Sequence, residues 1–328
     1  NKFEKSICSY TGSKFCLGLN SGTDALMMSL WSNNIGKDNE VITSPISFIA
    51  SIGAIVHVGA KPVFVDVDED LNINPDLIES AITSKTKAIM PVHWTGKVCD
   101  MDRIRLIAKK NNLTIIEDAA QAMGSYYKNK HGGTFGKVSA FSAHPLKNLN
   151  ALGDAGFIIT NEKSVYEKIK LYRNHGLESR DNVKIFGVNS RLDSLNAEVL
   201  SYRLKRLNSI IKRRKINIGY YKKYLNTDKI ILPKEKIYEK DSHVMFICKC
   251  KNRDNLQSYL NSKNIQSLVY YGKPLHMHKA SKPLGYKLGD FPKAEDLCNN
   301  VLALPHHQHL SEKEIKYVCE NINKFYGK

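Results

Sequence analysis

Lys147 lies in the segment FSAHPLKN, residues 141–148, directly after an apolar run and a turn that contains Pro145. In a cleft, desolvation and neighbouring positive charge lower the pKa of a lysine, and the neutral amine can then attack a carbonyl and form a Schiff base. A solvated surface lysine is the alternative, since Lys and Arg together number 49 in this chain. Lys147 is therefore a candidate nucleophile whose surroundings decide its role.

Two adjacent acids, Glu117 and Asp118, follow the apolar pair Ile115 and Ile116. Carboxylates at the end of an apolar strand are costly to bury without a partner, so we expect Asp118 to face a polar or cationic group in a cleft. A helix N-cap or a structural ion pair would account for the same pattern.

The segment NSGTDAL, residues 20–26, places Gly22 between two hydroxyl residues where a helix should begin. Free backbone N–H groups and the helix dipole make such a terminus a good anion site, although Ser21 or Thr23 could simply be an N-cap. A phosphate cup, a carboxylate for a ring nitrogen and a Schiff-base lysine are together what pyridoxal phosphate requires.

Apolar runs alternate with helix-length polar segments over the first two thirds of the chain, which predicts βαβ units and a mostly parallel sheet. In such a sheet, ligands bind beyond the carboxyl ends of the strands, where the three segments above lie. The strand candidates are residues 41–43, 63–66, 88–92, 113–116, 138–141 and 156–160. The helix candidates between them are residues 22–34, 46–58, 74–82, 100–111 and 162–174.

A long basic helix is predicted over residues 193–226, leading into a smaller α/β unit. That unit has a strand candidate at 243–250 and helix candidates at 253–263, 293–301 and 311–326. Since a single core seldom grows past about 250–300 residues, we predict two domains. These are a large domain over residues 1–215 and a small C-terminal domain over residues 216–328.

The net charge of +17 leaves nucleic acid, membrane surfaces and phosphorylated small molecules open as anionic partners. Residues 203–240 hold 13 Lys and Arg against 3 Asp and Glu, so much of the charge is local. No zinc-finger or RNP motif accompanies it, which argues against a nucleic-acid-binding protein.

The odd count of 7 cysteines without CxxC argues against a disulfide framework. No apolar run reaches about 18 residues, so we expect no membrane span and a cytoplasmic location.

The chain resembles the DegT/DnrJ/EryC1/StrS family of sugar aminotransferases, which are fold-type-I enzymes that use pyridoxal 5'-phosphate. Ten segments carry the resemblance in the family's order: LNSGTDAL, SPISFIASIGAIVHVGAKPVFVDVD, KTKAIMPVHWTG, TIIEDAAQAMGSYYKNKHGGTFG, AFSAHPLKNLNALGDAG, RNHGL, GVNSRLDSLNAEVL, GKPLH, GDFPKAEDL and LALPHHQHLSEKE. The resemblance implies an α/β fold in which helices flank the mostly parallel sheet of the large domain, with a smaller C-terminal α/β domain.

The resemblance also implies roles for matching positions. Lys147 would bind the cofactor covalently and shuttle a proton, and Asp118 would pair with the pyridine nitrogen. The remaining cofactor-binding positions are Gly22, Thr23, Phe48, Gln121, Ser142 and Asn189. Phe48 would stack on the ring, and Asn189 would reach the phosphate of the neighbouring subunit, which makes a homodimer with shared active sites necessary.

The histidines of the matching segments are not expected to bind the cofactor. His93 and His276 are candidate substrate contacts by their positions in PVHWTG and KPLH. The cluster His306, His307 and His309 follows LALP in a family motif that binds no metal, so no metal site is expected.

The implied reaction moves an amino group from L-glutamate to a keto-deoxysugar nucleotide, for amino-sugar and surface-glycan biosynthesis. The tail KNLNALGDAG resembles members that act at C3 of thymidine-diphosphate sugars, which favours a dTDP-3-keto-6-deoxyhexose. Amination at C4 of a UDP- or dTDP-4-keto sugar is the alternative. Family members usually carry a further stretch before the segment that aligns with KFEKSICSYTG. The alternative from another class of function is therefore a truncated, catalytically inactive paralogue with a binding or regulatory role.

Overall fold

The computed structural model describes all 328 residues. The strands, in chain order, are β1 (Phe15–Leu19), β2 (Glu40–Thr43), β3 (Lys61–Phe64), β4 (Thr86–Ile89), β5 (Thr114–Asp118), β6 (Tyr126–Tyr127), β7 (Lys130–His131), β8 (Val138–Ser142), β9 (Gly156–Thr160), β10 (Leu177–Ser179), β11 (Asn182–Val183), β12 (Ile230–Ile231), β13 (Glu239–Lys240), β14 (Ile247–Cys250) and β15 (Val301–Ala303). The α-helices are α1 (Lys2–Thr11), α2 (Gly22–Ser32), α3 (Ile49–His57), α4 (Met101–Lys110), α5 (Lys163–Tyr172), α6 (Ser194–Leu204), α7 (Leu207–Tyr224), α8 (Arg253–Ser262), α9 (Pro292–Asn300) and α10 (Glu312–Phe325).

A seven-stranded sheet forms the centre of the larger unit, in the order β1-β9-β8-β5-β4-β2-β3. Strand β9 is antiparallel to both of its neighbours, and the other six strands run in one direction. The predicted mostly parallel sheet is therefore confirmed. Because the six strands share a direction, their carboxyl ends meet at one edge of the sheet.

Helices cover both faces of this sheet, and the alternation of strand side chains explains why. Ile158 of β9 packs in a core with residues of α2 and α5, whereas Phe157 and Ile159 pack with residues of α1 and α6. Successive side chains of a strand point to opposite faces, so a strand covered on both sides is apolar at every position. The run GFIIT at 156–160 is buried at every position and is apolar except for Thr160.

The smaller C-terminal unit has a three-stranded sheet in the order β12-β14-β15, with both pairs antiparallel. Helices α8 and α10 pack against it in a core of their own. Helix α10 begins with a capping box, in which the Ser311 hydroxyl accepts from the Glu314 N–H and the Glu314 carboxylate accepts from the Ser311 N–H. Helix α7 joins the two units, since Ile211 packs in the core of the larger unit and Tyr221 in that of the smaller.

Several elements differ from the prediction. The segment 74–82 was predicted as one helix but forms two short 3-10 helices, Pro75–Leu77 and Glu79–Ala81. The Asn74 side chain caps the first of them by accepting from the Asp76 N–H. The long helix expected over 193–226 is divided between α6 and α7, and the break lets Leu204 and Leu207 enter the same core. Helix α1 and strand β1 were not predicted at all. The predicted domain division at residues 215 and 216 falls inside α7 and stays a prediction.

The basic stretch over residues 203–240 is partly neutralised by ion pairs. These pair Lys215 with Glu235, Lys223 with Glu312 and Lys236 with Asp70. All seven cysteines are unpaired thiols, and six of them are buried. No helix combines the length and the apolar composition needed to cross a membrane.

Candidate functional site

The predicted site residues come together at the carboxyl edge of the central sheet. Asp118 ends β5, Ser142 ends β8, and α2 and α3 begin shortly after β1 and β2. This edge borders a cavity of about 1230 Å³ between the central sheet and the C-terminal unit. The cavity is lined by seven of the predicted cofactor-binding residues: Gly22, Thr23, Phe48, Asp118, Gln121, Ser142 and Lys147.

The N-terminus of α2 opens on the cavity and is shaped by close contacts to the sheet. The Ser21 hydroxyl caps the helix by accepting from the Asp24 N–H at 3.0 Å. A Cβ atom on Gly22 would lie 2.8 Å from the Cβ of Ser142, and one on Gly156 would lie 2.3 Å from the carbonyl carbon of Ser21. Both glycines therefore let the helix end press onto β8 and β9. The Gly22 and Thr23 N–H groups have no partner within the helix, so they suit an anion.

Asp118 presents a buried carboxylate to the cavity. Its Oδ2 accepts from the Ser51 hydroxyl at 2.7 Å, and its Oδ1 accepts from the Ala120 N–H at 3.2 Å. Burial raises the pKa of this carboxyl, while those two hydrogen bonds and the charge of Lys147 oppose the rise. A carboxylate in this position suits a protonated ring nitrogen, because it offers a charged acceptor where water is largely excluded.

Lys147 stands on the loop that follows β8. The loop is held by the Lys147 N–H, which donates to the His144 carbonyl at 2.9 Å, and by the Asn148 side chain, which donates to the Ser242 carbonyl at 2.6 Å. Burial lowers the pKa of the Lys147 amine, and the Asp118 carboxylate partly opposes this. A larger fraction of the amine is therefore uncharged than for a surface lysine, as a nucleophile or proton acceptor requires.

Aromatic and amide side chains complete the cavity wall. The Phe48 side chain is 56% exposed and its ring lies 6.4 Å from that of Tyr271, which in turn lies 5.3 Å from Trp94. The Gln121 side-chain oxygen is buried without a hydrogen-bond partner. The wall thus offers an aromatic face and an unpaired amide beside Asp118.

His93 and His276 do not line the cavity. His93 is completely buried, and its Nδ1 accepts from the Cys99 N–H at 3.2 Å. Its Nε2 must therefore carry the proton, which it donates to the Glu117 carboxylate at 2.8 Å. His276 is also buried, with Nε2 3.0 Å from a carboxylate oxygen of Glu295. Their positions lend no support to the predicted substrate contacts.

Asn189 lies apart from the cavity of its own chain. It is exposed, on the segment that follows β11, and forms a bridge with Asn174. Its neighbour Ser190 donates to Asp24 at 2.7 Å, which ties this segment to the first turn of α2. The predicted role of Asn189 in a neighbouring subunit stays a prediction.

Three residues of the site were missed in the sequence. Ser51 hydrogen-bonds Asp118, Ser47 hydrogen-bonds Ser51, and Tyr271 faces Phe48. Ser47 and Ser51 are four residues apart in the segment 46–58 that was predicted as a helix, and this spacing was the available signal. No sequence pattern near Tyr271 indicates a site residue, because Tyr271 is more than 200 residues from Phe48 and reaches it only in the folded chain.

The cavity therefore combines an anion-binding helix end, a carboxylate acceptor and a lysine amine whose pKa is lowered. These are the groups needed for the phosphate, the ring nitrogen and the aldehyde of pyridoxal phosphate, so the residues present fit that cofactor.

Comparison with known proteins agrees with this fit. A sequence profile of the DegT/DnrJ/EryC1/StrS aminotransferase family matches residues 1–323. The chain belongs to this family. Its relatives include the dTDP-3-amino-3,6-dideoxy-alpha-D-galactopyranose transaminase of Aneurinibacillus thermoaerophilus, at 41% identity over 326 residues, or 98% of this chain and 89% of that protein. The "Pleiotropic regulatory protein" of Geobacillus stearothermophilus is 39% identical over 329 residues, or 99% of this chain and 88% of that protein.

Solved structures of family members superimpose closely. S. venezuelae DesV, in complex with a ketimine intermediate, matches with a TM-score of 0.96 at 35% identity, over 99% of this chain and 88% of that one. The PLP form of the putative sugar aminotransferase Spr1654 from Streptococcus pneumoniae matches with a TM-score of 0.93 at 29% identity, over 98% of this chain and 90% of that one. As a DegT/DnrJ/EryC1/StrS aminotransferase, the protein uses pyridoxal phosphate. When bound, this cofactor supplies an electrophilic aldehyde carbon and a ring that accepts electrons.

Proposed function

We propose that the protein transfers an amino group from L-glutamate to C3 of a dTDP-3-keto-6-deoxyhexose, for amino-sugar and surface-glycan biosynthesis. The observation that carries the proposal is the Lys147 amine, of lowered pKa, in one cavity with the Asp118 carboxylate. At about 1230 Å³ the cavity exceeds the range of about 300–1000 Å³ typical of small-ligand sites, so it has room for a sugar nucleotide beside a cofactor.

Two observations support C3 and a thymidine nucleotide. The tail KNLNALGDAG after Lys147 resembles that of members acting at C3. The relative from Aneurinibacillus is named for a dTDP-3-amino sugar. Amination at C4 of a UDP- or dTDP-4-keto sugar is the competing possibility.

The same proposal assigns roles to residues of this chain. Lys147 would hold the cofactor, and its Nζ would accept the α-proton of the amino donor and later deliver a proton at the sugar carbon that receives nitrogen. Asp118 would hold the pyridine nitrogen in its protonated form through a charged hydrogen bond. The first turn of α2 and Ser142 would bind the phosphate, and Phe48 would cover one face of the ring.

We also propose a homodimer in which the partner subunit's Asn189 completes each site. Asn189 does not line the cavity of its own chain and follows the hairpin of β10 and β11. Two apolar side chains near it are exposed: Val183, at the end of the hairpin, to 55% and Phe186, just after it, to 99%. Burial of this apolar surface against a second copy is favourable. The unpaired thiols suit a reducing compartment, and we propose the cytoplasm.

The decisive experiment is product NMR after incubation with pyridoxal phosphate, L-glutamate and a panel of dTDP- and UDP-linked 3-keto and 4-keto sugars. The proposal expects nitrogen on C3 of a dTDP-linked product and stoichiometric 2-oxoglutarate. Amination only at C4, or only of a UDP sugar, would overturn the substrate assignment. Replacing glutamate with other amino acids in the same assay tests the donor.

A regulatory role is the second candidate, because one relative is named a regulatory protein. It predicts that the protein binds the cofactor and turns over no sugar of the panel. Turnover of any keto sugar nucleotide, abolished by Lys147→Ala, excludes a purely regulatory protein.

A further inference from the structure

Two buried serines stand behind the Asp118 carboxylate. The Ser51 hydroxyl lies 2.7 Å from Asp118 Oδ2, and the Ser47 hydroxyl lies 2.6 Å from that of Ser51. Ser51 is 1% exposed and Ser47 is 3% exposed, so water does not compete freely for either hydroxyl. The three side chains form a short chain of hydrogen bonds that ends at the carboxylate.

Ser51 differs from three other helical serines of this protein. Ser6, Ser29 and Ser201 each donate to the backbone carbonyl four residues earlier, which is the ordinary choice for a serine within a helix. Ser51 instead lies in the first turn of α3 and points its hydroxyl across to the end of β5. A local capping or back-bonding role therefore does not explain its position.

The direction of the hydrogen bonds follows from the number of protons. A hydroxyl has one proton, and an ionised carboxylate has none, so Ser51 donates to Asp118 and must accept from Ser47. Two donors aligned in this way polarise each other and strengthen the bond to the charged end. The Ala120 N–H holds Oδ1, so both oxygens of the carboxylate have a fixed orientation.

We propose that Ser51, itself held by Ser47, is a positioning residue that keeps the Asp118 carboxylate ionised and turned toward the cofactor ring. The inference rests on the proposed pairing of Asp118 with the pyridine nitrogen. Burial raises the pKa of Asp118, and the Ser51 hydrogen bond is the largest influence that opposes the rise. Without that hydrogen bond, the proton between the carboxylate and the ring nitrogen shifts toward the carboxylate.

The test uses the holoenzyme loaded with pyridoxal phosphate that carries ¹⁵N in the ring. The ¹⁵N shift of the ring reports directly whether that nitrogen is protonated. In Ser51→Ala we expect the shift to move toward that of the unprotonated ring, with the pKa of the nitrogen lowered by about one pH unit. Ser47→Ala should move the ¹⁵N shift in the same direction by less. Ser51→Thr retains a hydroxyl, so it should leave the ¹⁵N shift at the value of the unaltered protein.

Matched variants separate this role from a structural one. Ser29→Ala removes a buried helical hydroxyl that bonds only the backbone, and it should leave the ring signal unchanged. Asp118→Asn serves as the reference for the pairing itself. If Asp118→Asn moves the ring signal and neither Ser51→Ala nor Ser47→Ala does, the positioning role is refuted and the pairing stands. If Asp118→Asn also leaves the signal unchanged, the pairing of Asp118 with the ring nitrogen is refuted as well.

Discussion

The imidazole of His93 and the carboxylate of Glu117 form a hydrogen-bonded pair, with Nε2 2.8 Å from Oε2 and both side chains completely buried. Glu117 also accepts from the N–H groups of Gly133, Phe135 and Gly136. Burial acts to raise the pKa of Glu117, but the His93 hydrogen bond and these backbone donors outweigh it and hold the pKa below its usual value. Because Glu117 precedes Asp118 in β5, the pair fixes the end of the strand that carries the carboxylate of the site.

Replacing His93 with alanine should lower stability rather than substrate affinity. The change leaves a cavity and removes a donor from a buried carboxylate, so we expect a loss of about 2–4 kcal/mol in the free energy of unfolding. Urea denaturation of the holoenzyme measures it, with His57→Ala as a control at an exposed histidine. A raised KM for the sugar substrate with unchanged stability would instead support a substrate contact by His93.

Lys147→Ala should abolish the visible absorption band of the lysine-bound cofactor and lower the amination rate by a factor on the order of 10³ or more, since the variant lacks both the covalent attachment and the proton carrier. An absorption spectrum and a single-turnover assay measure the two effects. Lys137→Ala, at an exposed lysine just before β8, is the control and should retain both. Retention of this band in Lys147→Ala, with no amine added, would show that another lysine binds the cofactor.

Gly22→Ala should weaken cofactor binding. The added Cβ would lie 2.8 Å from the Ser142 Cβ and 3.2 Å from its Cα, so the end of α2 must move away from β8. We expect the Kd for pyridoxal phosphate to rise about tenfold, measured by fluorescence titration of the apoprotein.

Gly53→Ala is the matched control, because its Cβ would meet no atom within 4 Å in helix α3. This variant should bind the cofactor normally and gain about 0.5–1 kcal/mol in stability. Equal losses of affinity in both variants would contradict the role of the close contact at Gly22.

Asp241 should make stability depend on pH. Burial raises its pKa from 3.8 to about 7, and its Oδ1 has no hydrogen-bond partner. Below about pH 4 the folded and unfolded states both hold the proton; between about pH 4 and pH 7 only the folded state does, so this residue costs stability as the pH rises through that range.

Asp241→Asn should therefore stabilise the protein by about 2 kcal/mol at pH 8 and much less at pH 4. Thermal unfolding at both values measures the difference, with the exposed Asp181→Asn as a control. An equal change in Tm at the two pH values would refute the assignment to this carboxyl.

The candidate site could be predicted from the sequence because its signals are local. Lys147, Asp118 and Gly22 each follow an apolar run, and parallel strands bring their carboxyl ends to one edge. Helix α1 was missed, although its buried residues Phe3, Ile7 and Thr11 are spaced by four as on one face of a helix. The division between α6 and α7 was missed because the packing of Leu204 and Leu207 into a shared core does not interrupt the helical pattern.

The sequence by itself determined the family and the cofactor and made Lys147 the candidate lysine, because these depend on residue types at short spacing. The tertiary structure decided which side chains support them. Ser51 and Asp118 are 67 residues apart, and His93 and Glu117 are 24 apart, so each pair forms only when the order of β2, β4 and β5 in the sheet sets them side by side. That order also sets His93 beside Glu117, where its Nε2 satisfies a buried carboxylate that would be costly to leave without a donor.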